Sequence, residues 1–155
     1  MIVPVLLIRH AHAGARKDWD GDDLDRPLSE KGRRQAAALV AQLDVFAPQR
    51  VLTSPYVRCA ETVMLLAASL SLPLERSDAL AEGSGAEALS LVRSLADDKV
   101  ALCTHGDVIP EVLVALADED RLDLGVRPRQ AKGSVWVLEA QKGTFVRATY
   151  LPPPA

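Results

Sequence analysis

The sequence predicts an α/β fold, a three-layer α/β/α sandwich built on a mainly parallel sheet with an antiparallel edge strand. Short apolar runs alternate along the chain with segments whose apolar residues have helical spacing, the order expected of parallel strands joined by helices. Near the C-terminus, two apolar runs are separated only by Gln141-Lys142-Gly143, which predicts a hairpin. A length of 155 residues with 48% hydrophobic residues suits one domain over residues 1–155.

The first predicted strand covers residues 3–8. This continuous apolar run predicts a central strand, because strands of a parallel sheet are buried on both faces. Pro4 is compatible with a central strand only near its beginning. The other predicted strands are Arg50–Thr53, Leu74–Arg76, Val100–Thr104, residues 135–138 and residues 145–150.

Four helices are predicted between these strands. Ser29 has the side chain of an N-cap, and the apolar residues at 36, 39, 40 and 43 follow helical spacing. Ser54-Pro55 predicts an N-cap followed by proline at the first helical position, so we expect a helix from Pro55 to about Leu70. The remaining predicted helices cover residues 87–95 and 108–116.

Composition excludes several classes of partner. A formal net charge of -3 provides no general attraction to nucleic acid or to an anionic membrane. The short apolar start resembles neither a signal peptide nor a membrane span, so we expect a cytoplasmic protein. Cys59 and Cys103 are too few and too far apart to suggest a disulfide framework or a thiolate metal site, and we expect reduced core thiols.

Polar residues follow three of the predicted strands where each one ends. They are Arg9-His10, Ser54 with Arg58, and His105-Gly106. In open α/β sheets the ligand crevice lies outside the carboxyl ends of the strands, so we expect these residues to form one pocket. Two arginines that stay charged oppose a metal cation and favour a phosphate. We then expect Arg9 and Arg58 to bind phosphoryl oxygens and His10 to attack phosphorus as a neutral imidazole. His105 is expected to bind the phosphate as well.

Several motifs in this order resemble the histidine phosphatase (phosphoglycerate-mutase-like) superfamily over nearly the whole chain. They are Leu7-Ile8-Arg9-His10-Ala11, residues 26–32 with Leu28-Ser29 and Gly32, Ser54-Pro55 with residues 58–62, and Thr104-His105-Gly106. The resemblance implies a hydrolase that forms a phosphohistidine on His10 and needs no cofactor and no metal. Ala11 stands where the family usually has glycine, and we expect this small side chain to do little damage.

The resemblance also implies a general acid and a substrate class. The family's acid often lies in a Leu-x-Glu segment, and Leu80-Ala81-Glu82 is the fitting stretch here. We further expect Ser54, Gly106, His12 and Lys132 to contact the substrate. Only residues 71–80 stand between the second-arginine helix and Glu82, where larger members have extra helices. This brevity is similar to the short SixA-type phosphohistidine phosphatases, and it predicts an open pocket.

A second similarity is to phosphatase-like domains fused to Nudix (MutT-type) hydrolases. The His-Ala-x-Ala-Gly pattern of residues 10–14 near Trp19, and Lys132-Gly133-Ser134 with Trp136, carry this likeness, which hints at a nucleotide substrate. The expected partner is therefore a phosphorylated small molecule, a nucleotide or a protein bearing phosphohistidine. A phosphate-recognition module without turnover and a mutase remain alternatives.

Several single residues admit a second interpretation. His10, His12 and His105 form a zinc site if they share one edge of the sheet, although the arginines oppose it. The aspartates of residues 18–25 lack the closing glutamate of an EF-hand, which favours a solvated loop. Arg16 and Lys17 are interpreted as solvated surface.

Overall fold

The fold is built on a sheet whose strand order is β3-β2-β4-β1-β5-β6. The computed structural model describes residues 3–126 and 128–154, so the predicted domain limits at residues 1 and 155 lie outside the described residues. Within this part of the chain the helices and strands are β1 Val3–Arg9, α1 Glu30–Leu43, β2 Arg50–Thr53, α2 Val57–Ser69, β3 Leu74–Arg76, α3 Gly85–Ser94, β4 Val100–Thr104, α4 Val108–Asp120, β5 Val135–Gln141 and β6 Thr144–Leu151.

The central strand is β1, which pairs with β4 in parallel and with β5 in antiparallel orientation. Strands β2 and β3 extend the parallel part of the sheet, and β6 closes the other edge as a hairpin with β5. Lys142 and Gly143 form the turn of this hairpin, and both have positive φ, as a type I′ turn requires. The predicted mixed sheet with an antiparallel edge is confirmed.

Helices cover both faces of the sheet. Leu6 and Ile8 of β1 pack with α1 and α2, whereas Val5 and Leu7 pack with α3 and α4. Alternate residues of a strand point to opposite faces, so the continuous apolar run supplies both cores. The predicted three-layer α/β/α architecture is confirmed.

Helix limits differ from the sequence prediction in three places. Helix α2 begins at Val57 instead of Pro55, because Tyr56 is extended and its N–H donates to Ser54 Oγ at 3.2 Å. Helix α3 begins two residues early, at Gly85. Helix α4 continues beyond Leu116 to Asp120, since Arg93 of α3 bonds both Glu119 and Asp120 and extends the contact between the two helices.

Candidate active site

The carboxyl ends of β1, β2 and β4 lie side by side. Arg9 is opposite Thr104 and Thr53 is opposite Cys103, so the residues that follow each strand meet at one edge of the sheet. A cleft of about 350 Å³ opens there. Of the nine predicted site residues, the cleft is lined by Arg9, His10, Arg58, Glu82, His105, Gly106 and Lys132.

The His10 ring is held in one tautomer. Its Nδ1 lies 2.8 Å from the carbonyl oxygen of Ala11. Because a carbonyl oxygen only accepts hydrogen bonds, Nδ1 carries the proton and donates it, which leaves Nε2 as the nitrogen with a free lone pair. Ala11 itself is anchored by its N–H, which donates to Thr62 Oγ1 at 2.9 Å.

Burial and neighbouring cations keep the His10 ring neutral. The residue is only 5% exposed. Burial lowers the pKa of His10 to about 3, and the charges of Arg58, His105 and Arg9 act in the same direction, against the hydrogen bond to Ala11. At neutral pH the ring is therefore neutral and its Nε2 carries no proton, as a nucleophile requires.

Arg9 reaches the cleft beside a glycine that gives it room. Its Nη1 donates to the carbonyl oxygen of Gln130 at 2.8 Å. A Cβ on Gly106 would come within 2.7 Å of Arg9 Cζ, so the guanidinium keeps its place because residue 106 has no side chain. Gly106 thus lines the cleft and also leaves the space that the Arg9 guanidinium occupies.

Arg58 is buried at the start of α2. It is 1% exposed, and its Nη1 and Nη2 donate to the backbone oxygen and the carboxylate of Asp23 at 3.0 and 3.2 Å. The Nε atoms of Arg58 and Arg9 are both buried without a hydrogen-bond partner. Buried donors of this kind require an acceptor. Since both residues line the cleft, the oxygens of a bound anion are suitable acceptors.

His105 is fixed by residues behind the cleft. Its Nε2 lies 2.8 Å from Ser54 Oγ and 3.5 Å from Cys59 Sγ, and the Tyr56 ring packs edge-on against it at 4.7 Å between centroids. The rings of His10 and His105 are 5.6 Å apart. Ser54 is fully buried and is not among the residues that line the cleft in the described chain. Its observed contact is with His105.

The charges of the lining residues favour an anion. Five cationic side chains and two carboxylates face this one cleft in a chain whose overall charge is negative. The cations are Arg9, Arg16, Arg26, Arg58 and Lys132, and the carboxylates are Glu82 and Asp107. Burial, followed by the charges of three of the arginines, lowers the pKa of Lys132. The clustered cationic side chains therefore attract an anion to the cleft, although the net charge of the chain is negative.

Comparison with known proteins assigns the chain to a family. Residues 5–87 match the sequence model of the histidine phosphatase superfamily (branch 1). The chain belongs to this superfamily. The resemblance seen in the sequence is confirmed, and so is the prediction of a phosphatase hydrolase at the level of the family.

Two solved structures have the same fold. One is assigned to a phosphohistidine phosphatase SixA of Nakamurella multipartitia, with a TM-score of 0.78, 25% identity and coverage of 100% of this chain and 98% of that one. The other is the protein histidine phosphatase SixA in complex with tungstate, with a TM-score of 0.75, 18% identity and coverage of 97% and 95%. The second likeness concerns the fold alone.

A curated superfamily relative has a nucleotide in its name. The 8-oxo-(d)GTP phosphatase of Mycolicibacterium smegmatis is 36% identical over 159 residues, which cover 97% of this chain and 48% of that protein. The present chain thus spans about half the length of the relative.

A network at the rim of the cleft includes residues that the sequence interpretation missed. Arg16 Nη2 contacts Glu82 Oε1 at 3.1 Å and Asp23 Oδ2 at 3.2 Å, and Arg58 Nη2 is 3.4 Å from the same Glu82 oxygen. The Arg16 side chain is 61% exposed, as expected of a surface residue, but it also lines the cleft, which the sequence interpretation did not include. Asp23 was assigned to a solvated loop, yet its side chain is 23% exposed and contacts Arg58, so that assignment missed its place at the rim.

Arg26 is a further cleft residue that was not singled out. It is 8% exposed, and its Nη1 donates to the carbonyl oxygens of Ala13 and Gly14 at 2.9 and 3.1 Å. The signal was present, since Arg26 begins one of the superfamily motifs quoted above. Its contacts hold the loop that carries Arg16.

His12 lies away from the lining of the cleft. Its Nδ1 is 2.6 Å from Ser29 Oγ, and its N–H donates to Gln35 Oε1 at 2.9 Å, so it joins the loop to α1. The three histidines do not form the zinc arrangement. Residues 3–126 and 128–154 contain no group of three His, Cys, Asp or Glu side chains that is able to hold a metal ion.

Two further sequence predictions concern the cysteines and membranes. Cys59 and Cys103 are both free and buried, as expected of core thiols. Among the described residues, no helix is long and apolar enough to cross a membrane.

Proposed function

We propose that this superfamily phosphatase hydrolyses its substrate through a covalent phosphohistidine on His10, without a metal ion. The observation that carries the proposal is the hydrogen bond from His10 Nδ1 to Ala11, which leaves an unprotonated Nε2 in a cleft lined by arginines. The substrate is a phosphomonoester or a phosphohistidine.

In the first step, Nε2 of His10 attacks phosphorus and the bond to the leaving group breaks in line with it. The ring then carries a positive charge shared by its two nitrogens, which the Ala11 carbonyl stabilises at Nδ1. Arg9, Arg58 and His105 stabilise the charge on the equatorial phosphoryl oxygens. Loss of one such preorganised donor reduces turnover about 10²- to 10³-fold in related chemistry.

Glu82 is the proposed proton donor and acceptor. Its carboxylate lines the cleft at the rim, where it contacts Arg16 and Arg58. We assign it the protonation of an alkoxide leaving group in the first step. In the second step it takes a proton from the water that hydrolyses phospho-His10, which restores both groups.

Two features support phosphohistidine among the possible substrates. The SixA-type structure shares 25% identity and nearly the whole length of this chain. A phosphohistidine leaves as imidazole, which needs less protonation than an alkoxide, so partial exposure of Glu82 at the rim is compatible with it.

A nucleotide is the second candidate substrate. The curated relative with 36% identity is named for activity on 8-oxo-(d)GTP, and the cationic lining of the cleft suits a nucleoside phosphate equally well. A substrate panel of phosphohistidine, nucleoside phosphates and sugar phosphates separates the two candidates.

The test of the mechanism is to trap phosphate on His10. We expect wild-type protein treated with an aryl phosphate in EDTA to release product and to carry acid-labile phosphate after rapid quenching. His10→Ala removes the nucleophile, so both signals are expected to disappear. Product release is followed by absorbance, and the modified residue by mass spectrometry under alkaline conditions.

A matched control uses Lys17→Ala, which truncates an exposed basic residue that does not line the cleft. This control is expected to keep both signals. Turnover by His10→Ala at the wild-type rate would contradict the nucleophile assignment. A wild-type protein that binds phosphate but never becomes labelled would support a recognition module without turnover.

A further inference from the structure

A second cavity adjoins the catalytic cleft. It has a volume of about 250 Å³ and is lined by residues of the loop after His10 and of the segment before α1. Trp19 and Asp18 lie on one stretch of its wall and Pro27 and Leu28 on another. We call it the Trp19 cavity. Leu28 belongs to a small buried cluster, but neither the proposed phosphoryl transfer nor the core uses the Trp19 and Asp18 side chains.

Trp19 is exposed yet held in place. Its side chain is 38% exposed, while its Nε1 donates to the carbonyl oxygen of Asp22 at 2.9 Å. The backbone of Gly21 lies close to the indole, because a Cβ there would come within 3.1 Å of Trp19 Nε1. A large aromatic ring fixed at the surface is a suitable platform for another flat ring.

The Trp19 cavity and the catalytic cleft adjoin each other. Gly14, Ala15 and Arg26 line both of them. Arg26 donates to the carbonyl oxygens of Ala13 and Gly14, so its side chain belongs to the shared wall. Gly14 has a φ of +69°, and a Cβ added there would meet nothing within 4 Å, so the space beside its backbone is open. A ligand that reaches from the arginines of the cleft to Trp19 would pass over Gly14.

The two adjoining cavities differ in charge. Cationic residues dominate the cleft, whereas the acidic residue Asp18 lines the Trp19 cavity beside the shared Arg26. The space thus fits a molecule with a phosphate at one end and a flat ring bearing N–H donors at the other. Guanine has two adjacent donor groups on its Watson–Crick edge, which a carboxylate is able to accept together.

We propose that the Trp19 cavity binds the base of a guanine nucleoside phosphate whose phosphoryl group lies beside His10. Trp19 stacks on the base, and Asp18 accepts hydrogen bonds from its N–H groups. This inference rests on the proposed phosphatase function and deepens it. A phosphohistidine does not fill this site, since its ring is bonded directly to phosphorus and stays within the catalytic cleft.

The test compares two substrates that share one leaving group. Guanosine 5′-monophosphate and ribose 5-phosphate both release a primary alkoxide, so the ratio of their kcat/KM values measures the contribution of the base. We expect the wild-type ratio to exceed about fivefold, the lower end of the range for one stacked base. Trp19→Ala lowers the ratio towards one, and Trp19→Phe restores most of it because a ring is kept.

Two further variants sharpen this comparison. Asp18→Asn is expected to reduce the preference for guanosine over adenosine 5′-monophosphate, since the amide offers one acceptor where the carboxylate offers two. Met64→Ala truncates an exposed apolar side chain elsewhere on the surface and is expected to leave both ratios unchanged. A wild-type ratio near one, or a ratio insensitive to Trp19→Ala, would overturn the inference.

Binding gives a readout that does not need turnover. The chain has two tryptophans, and Trp136 is buried, so quenching that is present in His10→Ala and lost in His10→Ala/Trp19→Phe reports on Trp19. We expect guanosine 5′-monophosphate to quench and ribose 5-phosphate not to. Phosphate trapped on His10 without base-dependent quenching would refute the cavity assignment alone. Quenching without any trapped phosphate would refute the mechanism and leave the cavity assignment standing.

Discussion

At the scale of single residues, His10 combines a fixed tautomer with a neutral ring. The Ala11 carbonyl determines which nitrogen carries the proton, and burial with three nearby groups determines that the other nitrogen stays free. The sequence supplied the residue and its position after a strand. It did not supply the tautomer, because the partner is a backbone oxygen that every residue has.

The low pKa of His10 makes folding stability depend on pH. In the unfolded chain the imidazole titrates near 6.5, whereas in the folded protein its pKa is lowered to about 3 by burial first and by nearby charges second. Between these values only the unfolded chain binds the proton. We therefore expect the free energy of unfolding to fall as the pH drops from about 6.5 towards 3, by up to ~1.4 kcal/mol per pH unit.

Urea denaturation at pH 7 and pH 5 measures this effect. His10→Gln removes the titrating group while keeping a polar side chain, so its stability is expected to vary less between the two pH values. If the two proteins lose the same stability on acidification, His10 is not the source of the pH dependence.

Glu82 leads to a prediction about leaving groups. Glu82→Gln keeps the side-chain length but removes the exchangeable acid, so alkyl phosphates, whose alkoxides need a proton, are expected to lose turnover by about 10²-fold or more. A 4-nitrophenyl phosphate is expected to lose much less in its first step. The measurement is kcat/KM for both substrates.

Asp107→Asn provides the matched control, since Asp107 also lines the cleft but accepts the N–H of Gly83 at 2.8 Å. We expect this variant to affect the two substrates equally. An equal effect of Glu82→Gln on both substrates would assign Glu82 to binding and remove it from proton transfer.

Site residues next to strand ends were predictable from the sequence, whereas those in loops were not. Arg9 is the last residue of β1, and His10 and His105 directly follow β1 and β4, so the topology alone brings them together. Ser54 also follows a strand, but its buried side chain contacts His105 instead of the cleft. Arg16 and Asp23 depend on how a polar loop folds, and no periodic pattern records that path.

At the scale of helices and strands, local sequence determined the interiors better than the ends. Strands β2, β3 and β4 have the predicted limits, and in β4 the whole apolar run is buried. Helix α2 starts later than its Ser-Pro signal suggested, because Ser54 Oγ is shared between the Tyr56 N–H and His105. A tertiary contact thus displaced a capping position.

Helix α1 contains a glycine with a reason in tertiary structure. Gly32 lies in the first turn, where a Cβ would collide with the backbone oxygen of His12. Replacing glycine by alanine in a helix normally stabilises it by about 1 kcal/mol. Here we expect Gly32→Ala to destabilise the protein instead, by roughly 1–3 kcal/mol, as overpacking does. The measurement is the urea midpoint.

Gly85→Ala is the comparison for this prediction. Gly85 begins α3, and a Cβ there meets only the carboxylate end of the exposed Glu111 side chain, which is free to move. Its effect on stability is expected to be small. Gly32→Ala with an unchanged or higher midpoint would contradict the proposed close approach of α1 to the His12 loop.

At the scale of the whole molecule, the α/β layers and the mixed sheet were predictable from the alternation of strand and helix patterns. Four parallel strands and one C-terminal hairpin produce a sheet whose order places β1 and β4 together at the centre. A single domain over residues 1–155 and a cytoplasmic location stay predictions.

The molecule as a whole is negatively charged, whereas its cleft is lined mainly by cationic side chains. The chain carries -3 overall, so distant surface charges repel an anionic substrate while the cleft attracts it. Attraction therefore acts only at short range, within about a Debye length of the cleft. Such a distribution selects substrates at the site and does not collect polyanions over the surface.

The reacting groups and the residues around the Trp19 cavity differ in how they are distributed along the sequence. The reacting groups stand at the ends of strands that are far apart in sequence, whereas one uninterrupted stretch, residues 13–29, provides Arg16, Arg26 and the whole lining of the Trp19 cavity. Apart from Asp23, which bonds Arg58, substitutions in that stretch are expected to change what is recognised and to leave the reacting groups in place. Substrate preference is therefore able to change through this one segment of the chain. Exchanging the segment between relatives is expected to transfer the preference with it.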